Sequence, residues 1–207
     1  MSRLIAEEGK SGGFAAYDRV AGAGSPRLTV LQALEGFAAE GRGPGSALDL
    51  GCGVGRDTLP LLARGWHVVA LDRRVEALST LAARVGPPDR ARLVLWARAI
   101  EDGPLPAVDL LVASFSLFLV PPERFATTWR ALRAALRPAG RLALQLLGPA
   151  DDWAGRPGVT VHTAEAVDEL LDGLSVEWRQ QEQSHALTPR GPAKFWHLHH
   201  LVARAPG

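Results

Sequence analysis

The stretch Leu48-Asp49-Leu50-Gly51-Cys52-Gly53-Val54-Gly55-Arg56-Asp57 decides the architecture. Residues 47–50 form a short apolar run of strand type that closes on glycine, and residues 58–64 have helical spacing, so the glycines stand where a strand turns into a helix. Three glycines on alternate positions let the backbone bend sharply and bring peptide N–H groups against a ligand that side chains would otherwise hold off. A dinucleotide fingerprint places its third glycine one position later, which here is Arg56, and the phosphate loop of nucleoside triphosphatases needs Gly-Lys-Ser/Thr, with no lysine nearby. Asp72 closes the next strand, 21 residues after Gly51 (72 − 51), where a carboxylate can accept hydrogen bonds from the hydroxyls of a nucleoside ribose.

Outward from the loop, strand and helix alternate. The apolar patterning predicts strands at 47–50, 66–71, 93–96, 108–113 and 141–147, and helices at 58–64, 75–85 and 123–136, with a turn at 137–140. Strands apolar on both faces and separated by helices call for a parallel sheet covered on both sides. Upstream, Ser25 and Pro26 predict the start of an amphipathic helix whose buried stripe is Leu28, Leu31, Leu34 and Phe37. Residues 1–24, rich in glycine around Tyr17, read as a flexible arm or lid, leaving 25–207 as one domain. Downstream, Thr163 caps a helix through Leu171, and two strands at 175–181 and 195–203 follow with no helix between them, so they pair antiparallel.

Composition narrows the function. Hydrophobic residues make up 47% of the 207, and Lys+Arg 23 against Asp+Glu 22 leaves a net charge of +1. This excludes a disordered acidic tail, a collagenous repeat and a chain built chiefly to grip nucleic acid by counterion release. Cys52 is the only cysteine, so neither an intrachain disulfide nor a cysteine zinc site can form, and a reducing cytoplasm is the expected setting. The first residues hold no apolar stretch of signal-peptide length, and the longest apolar run, 108–120, is interrupted by Asp109, Ser114 and Ser116 and is too short to span a bilayer. Neither membrane nor nucleic acid is expected as a partner, and oligomeric state has no signature in the sequence.

From about residue 28 to residue 203 the chain resembles the class I S-adenosylmethionine-dependent methyltransferases. The stretch 48–59, with Gly65, Val68 and Asp72, is similar to their small bacterial tellurite-resistance type. The resemblance implies an α/β, Rossmann-like seven-stranded sheet, mostly parallel with the last strand antiparallel, and helices on both faces. It implies S-adenosylmethionine as cofactor and S-adenosylhomocysteine as product. The loop residues Asp49, Gly51, Cys52, Gly53 and Gly55 would hold the methionine half, with Arg56 at its carboxylate. Asp72, with Arg73 beside it, would hold the ribose, Ile100 and Glu101 the adenine, and Ser114 and Phe115 would line the methyl-donor channel.

Methyl transfer from a sulfonium is an in-line displacement that needs alignment first, and a base only where the acceptor is a hydroxyl or a protonated amine. Candidate bases are Tyr17, Asp152 and His162, with Asp151 and His185 as further polar groups; Phe115, Trp153 and His197 are candidate acceptor contacts. The loop after the fifth strand is favoured, because parallel sheets bind ligands beyond the carboxyl ends of their strands. His197 and His199 share one face of a strand while His200 points the other way, so no metal site is expected and the histidines are assigned to a half-exposed sheet surface. The expected activity is methylation of a small-molecule thiol, chalcogen oxyanion, amine or hydroxyl. Methylation of RNA or protein, and a non-catalytic S-adenosylmethionine-binding module, stay open as alternatives.

Overall fold

Five strands, β1 (Ser46–Leu50), β2 (His67–Asp72), β3 (Leu93–Ala97), β4 (Val108–Ala113) and β5 (Leu136–Leu147), run parallel. Two more, β6 (Ser175–Leu187) and β7 (Ala193–Arg204), complete a seven-stranded sheet of order β3-β2-β1-β4-β5-β7-β6. β7 lies antiparallel to both its neighbours, as the change of pattern near the C-terminus predicts. The computed structural model describes Asp18, residues 24–188 and residues 192–207; the rest of the expected N-terminal arm, with Tyr17, lies outside them.

The two faces of the sheet are covered by different helices, and the strands alternate accordingly. Leu48, Leu50, Leu111, Leu142 and Leu144 pack with Phe125, Trp129 and Leu132 of α5 (Pro122–Ala135) and Val167 and Leu171 of α6 (Ala164–Leu171). Ala47, Val68, Ala70, Leu110 and Val112 face Val30, Ala33 and Phe37 of α1 (Leu28–Ala39), Leu61 and Leu62 of α2 (Thr58–Ala63), and Leu78 and Leu81 of α3 (Val75–Arg84). A short helix, α4 (Pro87–Arg90), connects α3 to β3. The two cores explain why β1 and β4 are apolar at every position but one or two: neither side of the sheet's centre meets water.

Three details differ from expectation. α1 starts at Leu28, its N-cap is Arg27 without a side-chain cap, and Leu28 is 51% exposed. The buried stripe is Thr29, Val30, Ala33 and Phe37, with Leu34 packed at its edge, and the Arg27 N–H ahead of the helix donates to Asp57 Oδ1 (2.8 Å). The turn at 137–140 is a bulge inside β5: Val108 pairs with Leu136 and Leu110 with Arg141, and the excess residues fold out with Ala139 at φ 56°. The C-terminal strands are longer than predicted. Residues 193–197 pair with β6 alone and carry the hairpin past the carboxyl end of β5. The α6 cap is as read, with the Ala166 N–H donating to Thr163 Oγ1 (3.2 Å).

The loop between β1 and α2 admits no side chain at its last glycine. Gly55 has φ +90°, and a Cβ there would stand 2.4 Å from Leu81 Cδ1 and 3.3 Å from Leu59 Cγ. Leu81 is fully buried and has no room to retreat. Gly55→Ala is therefore expected to lower unfolding stability by about 1–3 kcal/mol in urea titration. An unchanged midpoint would contradict that packing.

Candidate active site

The glycine loop is fastened to the end of β2. The Gly51 and Cys52 N–H groups both donate to Leu71 O (2.7 and 3.0 Å), and the Gly53 N–H donates to Asp72 Oδ2 (2.8 Å). The other oxygen of Asp72 accepts from the Arg74 N–H (2.8 Å), and the Arg74 guanidinium reaches Asp18 (3.0 Å). Gly51, Gly53 and Gly55 all have positive φ (71°, 54° and 90°), which explains the alternate spacing. They serve different needs. A Cβ on Gly51 would fall 2.4 Å from Ser116 Cβ, whereas one on Gly53 would meet nothing nearer than Arg74 Nη2 at 3.9 Å. Gly53 is thus the point where the backbone lies open to a ligand.

A pocket opens at this loop, lined by Asp49, Gly51, Cys52, Gly53, Arg56 and Ser114 of the expected set, and by Arg27, Val54 and Asp57 besides. Asp49 is buried and accepts a hydrogen bond from Thr58 Oγ1 (2.5 Å). Burial first, then the carboxylates of Asp57 and Asp72, push its pKa up to about 8 against the pull of the Thr58 bond. Asp57 Oδ1 accepts the Arg27 N–H (2.8 Å), so the start of α1 is pinned to the rim. Arg56 Nε donates to Ser25 O (2.7 Å). Ser114 Oγ is buried and has no hydrogen-bond partner. Cys52 packs into the turn, and burial with Asp49 and Asp72 beside it holds the thiol well above its ordinary pKa, so it is no nucleophile.

Acids and bases share one small pocket with an unsatisfied hydroxyl and an open glycine. Two arginines, Arg27 and Arg56, are balanced there by Asp49 and Asp57, a mixed set that suits a group carrying both charges. Of the other expected contacts, Arg73 is exposed just after β2. Ile100 packs on the core beyond β3, and Glu101 O accepts from Arg124 Nη2 (3.1 Å).

The residues expected at the acceptor sort differently. Asp151 is buried. Its Oδ1 accepts from Trp153 N–H (2.9 Å) and from the Lys194 ammonium, and its Oδ2 accepts from His197 N–H (3.0 Å). Asp152 Oδ2 accepts from Phe195 N–H (2.7 Å). Both carboxylates thus moor the loop after β5 to the projecting part of β7. Lys194 is buried as well, 3.8 Å above the Trp196 ring, and burial pulls its pKa below the ordinary value despite Asp151. His162 stands 4.4 Å from the Phe125 ring, its Nδ1 is sealed without a partner, and burial together with His199 brings its pKa down to about 4.

The histidines of β7 are not on a half-exposed surface: His197 and His199 are 6% and 1% exposed, covered by the α6 side of the sheet. Ala150 N–H donates to His197 Nδ1 (3.2 Å), and His199 Nε2 lies 3.1 Å from His162 O. His185 lies on exposed β6 with its ring 5.0 Å from that of Phe195. Among the described residues no group of three or more His, Cys, Asp and Glu is arranged to hold a metal, and no helix is long and apolar enough to cross a membrane.

Phe115 has φ 54°, a strained conformation for a non-glycine residue. It is held by buried Gln145, whose Oε1 accepts the Phe115 N–H (3.1 Å) and whose Nε2 donates to Thr29 Oγ1 (3.0 Å). The ring lies beneath the Arg27 guanidinium (4.2 Å) and edge-on to Trp196 (5.7 Å), which packs against Trp153 (5.6 Å). Arg27 and Asp57 line the pocket although neither stands out in the sequence as a site residue.

Residues 47–140 match the family model described as a methyltransferase domain. Residues 47–140 therefore carry a methyltransferase domain. The matched span begins in β1 and ends in the bulge of β5, so it contains the loop, Asp72 and Ser114. TehB from Haemophilus influenzae is similar in structure, with a TM-score of 0.68 and 17% identity over 81% of this chain and 60% of that one. The chain thus spans about 60% of the length of that protein. The magnesium protoporphyrin IX methyltransferase ChlM from Synechocystis PCC 6803 with bound S-adenosylhomocysteine gives 0.68 and 18% over 94% of each chain. The Burkholderia thailandensis 1,6-didemethyltoxoflavin-N1-methyltransferase gives 0.61 and 22% over 100% of this chain and 95% of that one. At such identities the likeness establishes the fold. No curated protein matches the chain by sequence.

The mooring of β7 by a buried carboxylate yields a direct prediction. Removing Asp151 leaves the Lys194 ammonium buried without its counter-charge and two backbone N–H groups without an acceptor. Asp151→Ala should cost about 3–5 kcal/mol of stability in chemical denaturation. A loss under 1 kcal/mol would place that pair in the class of exposed ion pairs.

Proposed function

We propose that this methyltransferase moves the methyl group of S-adenosylmethionine to a small-molecule acceptor bound beyond the carboxyl ends of β4 and β5. The observation that carries the reading is the Asp72 carboxylate tied to the Gly53 N–H, which joins a ribose acceptor to the open backbone of the loop in one rigid unit. In this reading the cofactor supplies an activated sulfonium methyl, and the chain supplies its alignment.

Asp72 still has lone pairs free for ribose hydroxyls, since each of its oxygens accepts one backbone N–H. Asp49 meets the α-ammonium, and Arg27 and Arg56 stand on the side of the α-carboxylate. Ser114 Oγ gains a partner, and the aromatic wall of Phe115, Trp196 and Trp153 gives the acceptor a water-poor floor. A small acceptor agrees with a near-zero net charge and with the small heterocycle named for the Burkholderia thailandensis enzyme. The candidate acceptor atoms are a thiol, a chalcogen oxyanion, an amine and a hydroxyl.

Two measurements test the cofactor site. Asp72→Ala should weaken S-adenosylhomocysteine binding by about 1–3 kcal/mol in calorimetry, because ribose hydroxyls lose their acceptor; equal affinity would remove Asp72 from the site. The second concerns protons. With its pKa near 8, Asp49 is mostly protonated in the free protein at pH 7, and an ammonium beside it favours the carboxylate. Ligand binding at pH 7 should therefore release a proton, detected as a buffer-dependent binding enthalpy. The release should fade above pH 8 and vanish in Asp49→Asn. A buffer-independent enthalpy for the unmutated protein would exclude the pairing.

A further inference from the structure

We propose that His200, oriented by Glu182, is a general base that takes the proton of an acceptor O–H or N–H during methyl transfer. The inference rests on the cofactor reading above and narrows the acceptor to a protic, planar molecule.

His200 lies on the face of β7 opposite to His197 and His199, next to Gln145 of β5 in the sheet. Its Nε2 is 3.0 Å from Glu182 Oε2 on β6. Glu182 is kept ionised at neutral pH: Ser184 Oγ donates to its Oε1 (2.6 Å), and this bond and His200 hold its pKa below the ordinary value. An ionised carboxylate on one side makes Nε2 the protonated nitrogen and leaves Nδ1 with its lone pair outward. Nδ1 has no hydrogen-bond partner among the described residues, and the side chain is 15% exposed. The charged or titratable groups facing the ring are Glu182 from β6 and Arg27 from the segment before α1; β5 presents Gln145 and the end of β4 presents Phe115. Burial, with Arg27 adding to it, draws the imidazole pKa below its usual value, so the ring is neutral near pH 7 and able to accept a proton.

The dyad is also in the right place. Ser114 and Arg27 line the cofactor pocket, and Phe115, the next residue along the chain, separates them from His200 by one ring, with centroids 6.4 Å apart. Arg27 caps that same ring. A planar acceptor resting on Phe115 and Trp196 therefore has the methyl donor on one side and His200 on the other. As the acceptor oxygen or nitrogen forms its bond to the methyl carbon, its proton passes to His200 Nδ1. The carbon–sulfur bond breaks with its electron pair going to sulfur, and the imidazolium returns the proton to solvent. Methylated acceptor, S-adenosylhomocysteine and one proton result, and no further reactant is needed.

The test uses the full chain, S-adenosylmethionine, and a panel of phenols, heterocyclic N–H compounds and thiols, with release of S-adenosylhomocysteine as readout. Calorimetry with S-adenosylhomocysteine is done first on every variant. The expected result is turnover of at least one phenol or N–H compound, lowered about 100-fold or more in kcat by His200→Gln with cofactor affinity unchanged. Glu182→Gln should lower kcat less and shift the acid limb of its pH profile, which a merely structural residue would not do. Turnover confined to thiols, absence of turnover with every phenol and N–H compound, or a His200→Gln enzyme as fast as the unmutated one would overturn the proposal. Failure of S-adenosylhomocysteine to bind the unmutated protein would instead overturn the cofactor reading on which it rests.

Discussion

The hydrogen bond from the Gly53 N–H to Asp72 is the constraint from which the site follows. A chain leaving β1 must reverse into α2 within seven residues, and it does so by three left-handed glycines whose free N–H groups would otherwise be orphaned. The Gly51 N–H, with that of Cys52 beside it, donates to Leu71 O, the Gly53 N–H donates to the carboxylate of Asp72 and the Gly55 N–H donates to Cys52 O, so the loop is held chiefly by the end of the adjacent parallel strand. That arrangement leaves Gly53 bare toward the pocket, and it explains why a carboxylate buried at a strand end is tolerated. It is already hydrogen-bonded before any ligand arrives.

A second feature shapes the opposite side. Because β7 runs antiparallel between β5 and β6, its N-terminal half and the end of β6 extend beyond the carboxyl edge of the sheet. A hairpin projecting from an edge would be loosely held on its own. Here Asp151 and Asp152 bind its backbone, and Lys194 lies buried between Asp151 and two tryptophans. The aromatic wall of Phe115, Trp153 and Trp196 is the inner surface of this mooring. Site and scaffold therefore share residues: the same carboxylate that carries stability also positions the wall on which an acceptor would rest.

Much of this was readable from the residues alone. The glycine spacing, Asp72 and the alternation of apolar runs specify a local turn and a layered sheet, and both depend on short-range geometry and hydrophobic periodicity. What escaped depends on partners distant in sequence. The start of α1 is tied by the Arg27 N–H to Asp57, thirty residues away, and its buried stripe takes in Thr29, Val30 and Ala33 beside Phe37, a placement its leucines do not announce. The apolar pattern ends this strand at 181, because Gln183, Ser184 and His185 give no apolar cue; their strand is made by backbone pairing to β7. Asp152 and His162 suggested chemistry by residue type, yet a backbone N–H engages one and an aromatic neighbour the other. His200 points away from His197 and His199, its neighbours along β7. That orientation is what brings it to Glu182 and Phe115, a juxtaposition only the sheet order creates.

The most direct measurement is a crystal structure of the protein grown with S-adenosylhomocysteine. The amino-acid end of the ligand should lie against residues 51–55, within reach of Asp49 and Arg56, with both ribose hydroxyls on the Asp72 carboxylate. Ligand density elsewhere on the molecule, with the loop empty and Asp72 bound only to its two backbone N–H groups, would contradict the assignment.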